Sequence, residues 1–237
     1  MKVCIIGGGL VSLTLANVLI KKEIFVDILI NKKSSRYDKI RTLGISKSNI
    51  DYFNDEIINI EKNLWKIKNI KISTENSPGK EILDFKNNEK QIFSIIKNYR
   101  LYEILNKNLK KSKFVKFEKF IDYENVIKKR YKLIINCDFE NEITKKFFSN
   151  NIEKNYHSIA YTTVIDHKKI FNNNIAYQNF TKHGPIAFLP VSNTQTSVVY
   201  SFRKKNYKND FDIKDLIKKY NPKYSIIKIN DLKFMKL

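Results

Sequence analysis

Apolar and polar positions change period several times along this chain, and each change marks an element. Residues 2 to 6, KVCII, form a continuous apolar run short enough for a parallel strand buried on both faces. After three glycines, Leu10, Leu13, Ala16, Leu19 and Ile20 recur at helical spacing until KKE, and FVDILI at 25 to 30 returns to a β-branched run. Strand, glycine turn, helix and strand together match the ~30 residues of a βαβ unit. A polar loop is predicted over 31 to 46, then a short helix around SKSNIDYFN. WKIKNIKIS, KEILDFK and QIFSIIK, parted by ENSPGK, predict one small antiparallel sheet between 64 and 96. A helix over about 99 to 111 carries Leu101, Ile104, Leu105 and Leu109 on one face, and YKLIINCD at 131 to 138 reads as another buried strand. Residues 156 to 202 are rich in β-formers broken at NNN and SNTQ, and DIKDLIKKY predicts a last helix before an Ile-rich segment at 224 to 230. The order predicts an α/β fold: a Rossmann-like βαβ domain over 1–150 with inserted strands, then an antiparallel-sheet domain over 151–237.

The glycines carry the chemistry. In GGGLVS, Gly7 and Gly9 stand at the first two positions of a dinucleotide fingerprint, one for the tight turn and one for close backbone approach to a pyrophosphate. Ser12 occupies the third position, small enough for helix and strand to stay close. The amides of Gly9, Leu10 and Val11 would meet the pyrophosphate at the helix N-terminus. The second strand runs into Asn31, where an acid would accept hydrogen bonds from the ribose hydroxyls; a carboxamide offers one neutral acceptor instead.

Composition changes the picture little. Lys and Arg number 45 against 24 Asp and Glu, a net charge of +21, but the lysines are spread evenly with Asn and Ile and form no basic block. This reads as a compositional bias, with no specific nucleic-acid partner and only a weak pull toward anionic lipid head groups. Cys4 and Cys137 lie in apolar runs, as small residues in a reducing compartment do. His157, His167 and His183 share no metal-ligand spacing, so no metal is expected. The N-terminus lacks the pattern of a secretory signal and no apolar run reaches the ~20 residues of a membrane-spanning helix. A cytoplasmic protein, peripheral to the inner face of a membrane at most, is the expectation.

Five stretches in order are similar to one family: the glycine turn, RTLGISKSNIDYF at 41 to 53, IIKNYRLYEIL at 95 to 105, LIINCDFENEITKKF at 133 to 147, and IAYQNFTKHGPIAFLPVSNTQTSVVYSF at 175 to 202. The chain resembles the ubiquinone-biosynthesis aromatic-ring hydroxylases, class A flavoprotein monooxygenases with the p-hydroxybenzoate hydroxylase fold. The resemblance implies FAD on the N-terminal turn, NADPH or NADH as reductant, and transfer of one oxygen atom from dioxygen to the ring of a prenylated phenol. Other quinone-biosynthesis proteins are implied as possible partners. The flavin carries such chemistry, so no catalytic side chain is assigned. Gly7, Gly9 and Ser12 match the pyrophosphate turn, and Asn31 stands at the ribose-binding glutamate. Arg41 matches an arginine that reaches the flavin side, and Asn98 opens the helix that contributes to the cofactor groove. Asp138 is retained from the family's Asp-Gly motif, with Phe139 in place of the glycine and Lys145 in place of an arginine; without the family, Asp138 reads as a helix cap. The chain ends before the family's Gly-Asp motif, so a truncated, non-catalytic homologue is the alternative expectation.

Overall fold

The computed structural model describes residues 2–31, 40–76, 81–86, 91–148, 152, 154–203 and 212–236. In chain order the elements begin with β1 (Lys2–Ile6), α1 (Leu10–Lys21), β2 (Phe25–Ile30), β3 (Thr42–Ser46), α2 (Lys47–Tyr52), β4 (Trp65–Ile67), β5 (Asn69–Thr74), β6 (Glu81–Lys86) and β7 (Phe93–Lys97). They continue with α3 (Asn98–Lys110), β8 (Val115–Lys119), α4 (Tyr123–Lys128), β9 (Leu133–Asn136), α5 (Glu142–Phe147) and the long strands β10 (Ser158–His167), β11 (Ile175–Thr181), β12 (Gly184–Pro190) and β13 (Gln195–Arg203). The chain closes with α6 (Ile213–Lys219), β14 (Ile226–Ile229) and β15 (Lys233–Lys236).

Two compact units form. The first holds Met1–Asp38, Ile50–Lys62 and Tyr99–Glu153; the second holds Lys39–Asn49, Asn63–Asn98 and Lys154–Leu237. The units thus interleave along the chain and are not separated by one cut near residue 150. Strand pairing is the reason: β5 joins β11 in parallel, with Ile70 opposite Ala176, and draws the middle of the chain into the second unit.

In the first unit four parallel strands lie in the order β8-β2-β1-β9. Cys4 and Ile6 point to one face, where Leu29, Phe120, Val126 and Ile143 complete a core under α4 and α5. Val3 and Ile5 alternate with them and are buried on the opposite face. α1 meets α3 through a buried amide: Asn17 Nδ2 donates to Leu13 O at 2.7 Å and Leu105 O at 3.2 Å, while Asn108 donates back to Asn17 Oδ1 at 2.7 Å. Asp27 is 2% exposed on β2 and is satisfied by Lys2 at 2.7 Å and the Tyr131 hydroxyl at 2.6 Å. Burial, reinforced by that carboxylate, pushes the Cys4 thiol up to about 12, so it is an inert core group.

The second unit is built on an eight-stranded sheet, β14-β10-β13-β12-β11-β5-β6, with β15 also paired to β10. All its pairings are antiparallel except β5 with β11. One face carries Ile186, Phe188, Val198, Tyr200 and Phe202, covered by Ile213, Leu216 and Ile217 of α6 and by Tyr220 and Tyr224. On the other face lies a three-stranded sheet, β3-β7-β4, whose Ile67 and Ile95 pack on Ala176. Thr42 donates to Ser197 at 3.0 Å and Lys97 to Gln195 at 2.7 Å across the same contact.

Two sequence expectations are corrected here. The segments at 64 to 96 do not make one small sheet: WKIKNIKIS breaks at Lys68 into β4 and β5, which join different sheets. The loop expected over 31 to 46 contains β3 at Thr42–Ser46, held by register with β7; 32 to 39 lie outside the described residues.

Candidate dinucleotide site

The site forms where β1 and β9 end side by side. Cys137 N donates to Ile6 O at 2.8 Å and Gly7 N to Leu29 O at 2.8 Å, so the turn leaving β1 is tied to both neighbouring strands. α1 carries the chain from β1 to one side, toward β2, while β9 lies on the other side. The turn therefore occupies the switch point at the carboxyl ends of a parallel sheet, where such sheets bind ligands.

The three glycines do different things. Gly7 has φ +120°, and a methyl group there would meet Ser12 Oγ at 3.0 Å, the Cys137 carbonyl carbon at 3.3 Å and Asp138 Cβ at 3.4 Å. Only glycine fits that turn without strain. Gly8 packs on the Ile30 side chain, 3.1 Å from where its Cβ would be. Gly9 is the N-cap of α1 with φ −82° and ψ −179°, a conformation any residue adopts, yet a methyl group there would meet nothing within 4 Å. Its smallness leaves space in front of the helix.

That space faces donors without acceptors. α1 has no side-chain cap and no acid in its first turn, so its first amides and the positive end of its dipole are uncompensated. Ser12 is 0% exposed, its hydroxyl buried beside Gly7. The Cys137 thiol is raised by burial, against the lowering effect of a hydrogen bond with the Ser12 side chain. Leu10 is half-buried and Val11 is exposed at the mouth. An uncapped helix and an open approach at Gly9 fit the pyrophosphate of a dinucleotide.

Asp138 follows β9 beside Gly7. Its Oδ1 accepts from Glu140 N at 3.2 Å, and its carbonyl accepts from Asn141 N and Thr144 Oγ1, each at 3.1 Å. The cap of α5 is Asn141, whose side chain accepts from Ile143 N at 3.0 Å, so Asp138 is not the helix cap. Phe139, next in the chain, is 81% exposed. Asn31 is exposed just beyond β2.

Gly7, Gly9, Leu10, Val11, Ser12, Asn31 and Asp138 thus share the first unit. Arg41 and Asn98 belong to the second unit, where Asn98 N donates to Arg41 O at 2.9 Å and Asn98 Oδ1 is buried without a partner. Sequence reasoning missed β8, which pairs with β2 and whose short pattern VKFEK carries too few apolar residues to declare a strand.

No family model matches the chain. Over 71 residues, 30% of this chain, it is 34% identical to "Ubiquinone biosynthesis monooxygenase COQ6, mitochondrial" of Xenopus tropicalis and 35% identical to the protein of that name in Homo sapiens. The matched stretch spans only 15% of each relative. Solved structures agree over far more of the chain at low identity. The flavin-dependent monooxygenase PieE, solved with FAD and substrate, has a TM-score of 0.73 at 12% identity, covering 100% of this chain and 50% of that one. PqsL, a probable FAD-dependent monooxygenase from Pseudomonas aeruginosa, gives 0.70 at 12% identity, covering 93% and 66%. A putative FAD-containing monooxygenase from Photorhabdus luminescens gives 0.69 at 14%, covering 100% and 76%. The fold is that of the FAD-dependent monooxygenases.

Proposed function

We propose that the β1–α1 turn holds the ADP part of FAD and that the chain serves an FAD-dependent monooxygenase. One observation carries the reading: the N-terminus of α1, with no side-chain cap and no acid in its first turn, left open at Gly9. In this reading the amides of Gly9, Leu10 and Val11 bind the pyrophosphate, and Gly7 makes the turn that lets them converge. Asn31 meets the ribose through its carboxamide. Asp138, fixed by its own loop, orients the groups next to Gly7. FAD, when bound, supplies oxygen activation and transfer to an electron-rich ring. The finer reading is a prenylated phenol on the route to ubiquinone as substrate, with NADPH or NADH as reductant; the partial similarity to COQ6 supports it. A peripheral place at the membrane holding such a substrate follows, and among the described residues no helix is long and apolar enough to cross a membrane.

Purified protein titrated with FAD is the test. The expected result is visible flavin absorbance retained after desalting, a rise in Tm, and NADPH- or NADH-dependent oxygen consumption with a prenylated phenol. Absence of any FAD uptake overturns the reading. A second reading, a nucleotide-binding homologue without catalysis, is favoured by the exposed Phe139 where the resemblance has glycine. It predicts FAD uptake with no oxidation of either nicotinamide.

A further inference from the structure

On the face of the eight-stranded sheet that carries α6, a cleft of about 680 Å³ opens between strands β5, β6 and β11 and the C-terminal end of α6. That is the size of a small-molecule site. Tyr177 and Phe188 line it from the sheet and Tyr220 from the helix end, so it has an aromatic lining on two sides. Its charges do not cancel. Parallel register sets Lys71 of β5 opposite Tyr177 of β11, so both side chains leave the sheet on this face. Lys223, at the rim, holds its Nζ 5.1 Å from the centre of the Tyr177 ring and 5.6 Å from that of Tyr224. The two acids of the lining are engaged elsewhere: Glu81 by Lys71, and Glu75 by the Lys182 amide, Tyr220 and Lys219. Among the described residues Lys223 has aromatic contacts and no carboxylate partner.

Burial, and then the nearby Lys71 ammonium, lower the Lys223 pKa, and burial raises that of Tyr177. One wall of the cleft therefore holds a cation without a counter-charge beside an aromatic ring. We propose that this cleft binds a small anionic aromatic compound, an arylcarboxylate, with its ring beside Tyr177 and Tyr220 and its carboxylate against Lys223. The carboxylate offsets the repulsion between Lys223 and Lys71 and gives Lys223 a charge-assisted hydrogen bond. The neutral prenylated phenol proposed above as substrate lacks that charge, so this is a different ligand at a different site. Every residue of the cleft belongs to the second unit, and the proposal does not depend on reading the β1–α1 turn as a dinucleotide site.

Isothermal titration of the full chain at fixed salt compares 2-naphthoate with 2-naphthamide, which keeps the ring and loses the charge, and with acetate, which keeps the charge and loses the ring. 2-Naphthoate should bind about tenfold tighter than either, the size one charge-assisted hydrogen bond supplies. Lys223→Gln should bring 2-naphthoate down to the level of 2-naphthamide with Tm unchanged, since Lys223 is exposed at the rim. Tyr177→Leu should weaken both ring compounds several-fold. Lys107→Gln, an exposed lysine on α3 of the other unit, should leave all three affinities as they are, which separates a local contact from the general positive charge. Equal affinities for 2-naphthoate and 2-naphthamide, or a loss on Lys223→Gln no larger than on Lys107→Gln, overturn the proposal. Absence of 2-naphthoate binding overturns it too, whatever FAD does at the β1–α1 turn.

Discussion

Gly7 and Gly9 look equivalent in sequence and are opposite in kind. Gly7 is required by the fold, because its φ of +120° and its crowding against Ser12 and Cys137 exclude a side chain. Gly9 has ordinary backbone angles and empty space in front of it, so only a ligand requires its smallness. Gly7→Ala should therefore lower stability by about 1 to 3 kcal/mol, the usual cost of forcing a residue into such a conformation, readable as a fall in Tm without ligand. Gly9→Val should leave Tm nearly unchanged and reduce FAD affinity by about tenfold or more, since backbone approach to the pyrophosphate is lost. A Gly9→Val protein that binds FAD normally would remove the cradle from this site. Ser12 separates the same two roles. Its hydroxyl is buried beside the Cys137 thiol at the foot of the turn, so Ser12→Ala should shift the Tm of the free protein by only a few degrees while narrowing the stabilisation that added FAD provides. Both effects are read by thermal melts with and without FAD.

Among the elements, Glu75 just past β5 joins three pieces of the second unit. Its carboxylate accepts from Lys182 N of the β11–β12 turn at 2.9 Å, from Tyr220 at 2.9 Å and from Lys219 at 3.2 Å. Chiefly the Lys182 amide, then the Tyr220 and Lys219 side chains, lower it from 4.5 to about 2, against the opposing effect of burial. The folded value lies below the unfolded one, so the stabilisation is complete above pH 4.5 and is lost as pH falls through about 2. Glu75→Gln should cost about 1 to 3 kcal/mol near neutral pH, allowing for partial solvent access, and the gap to the parent should close in acid. Denaturant melts from neutral pH to pH 2.5 check this; a gap independent of pH would mean that charge is irrelevant to the contact. The same unit shows what the sequence could reveal. β10 to β13 were legible because their apolar positions alternate over long runs, and β1, α1 and β2 because a glycine turn separates two clear periods. β3 and β8 were not, since TLGIS and VKFEK carry too few apolar residues to declare themselves. Their strands exist because β7 and β2 supply the partners. The site divides the same way. Gly7, Gly9 and Ser12 of the candidate site belong to a local motif, whereas the switch point they occupy forms only because β9, from far along the chain, pairs with β1.

At the scale of the whole molecule, the +21 charge acts on everything at once. Carboxylates are too few to neutralise the lysines, and many ion pairs that form are exposed, such as Arg100 with Glu103 and Lys218 with Asp215, so they contribute little. The compact state is consequently strained by self-repulsion, whose range falls from about 30 Å at 0.01 M salt to about 8 Å at 0.15 M. Raising sodium chloride across that interval should raise Tm by several degrees, the reverse of what a fold held by surface ion pairs would show. The same spread of charge limits nucleic-acid binding. Evenly scattered lysines bring few ammonium groups onto one duplex at a time, and log affinity falls with log salt by about 0.9 per phosphate contacted. Duplex DNA should therefore be held weakly at low salt, with a slope of magnitude about 3 or less and no footprint. A steep slope with a defined footprint would show that the lysines are arranged for a polyanion. A dinucleotide on the β1–α1 turn would then need a partner surface to share the protein with.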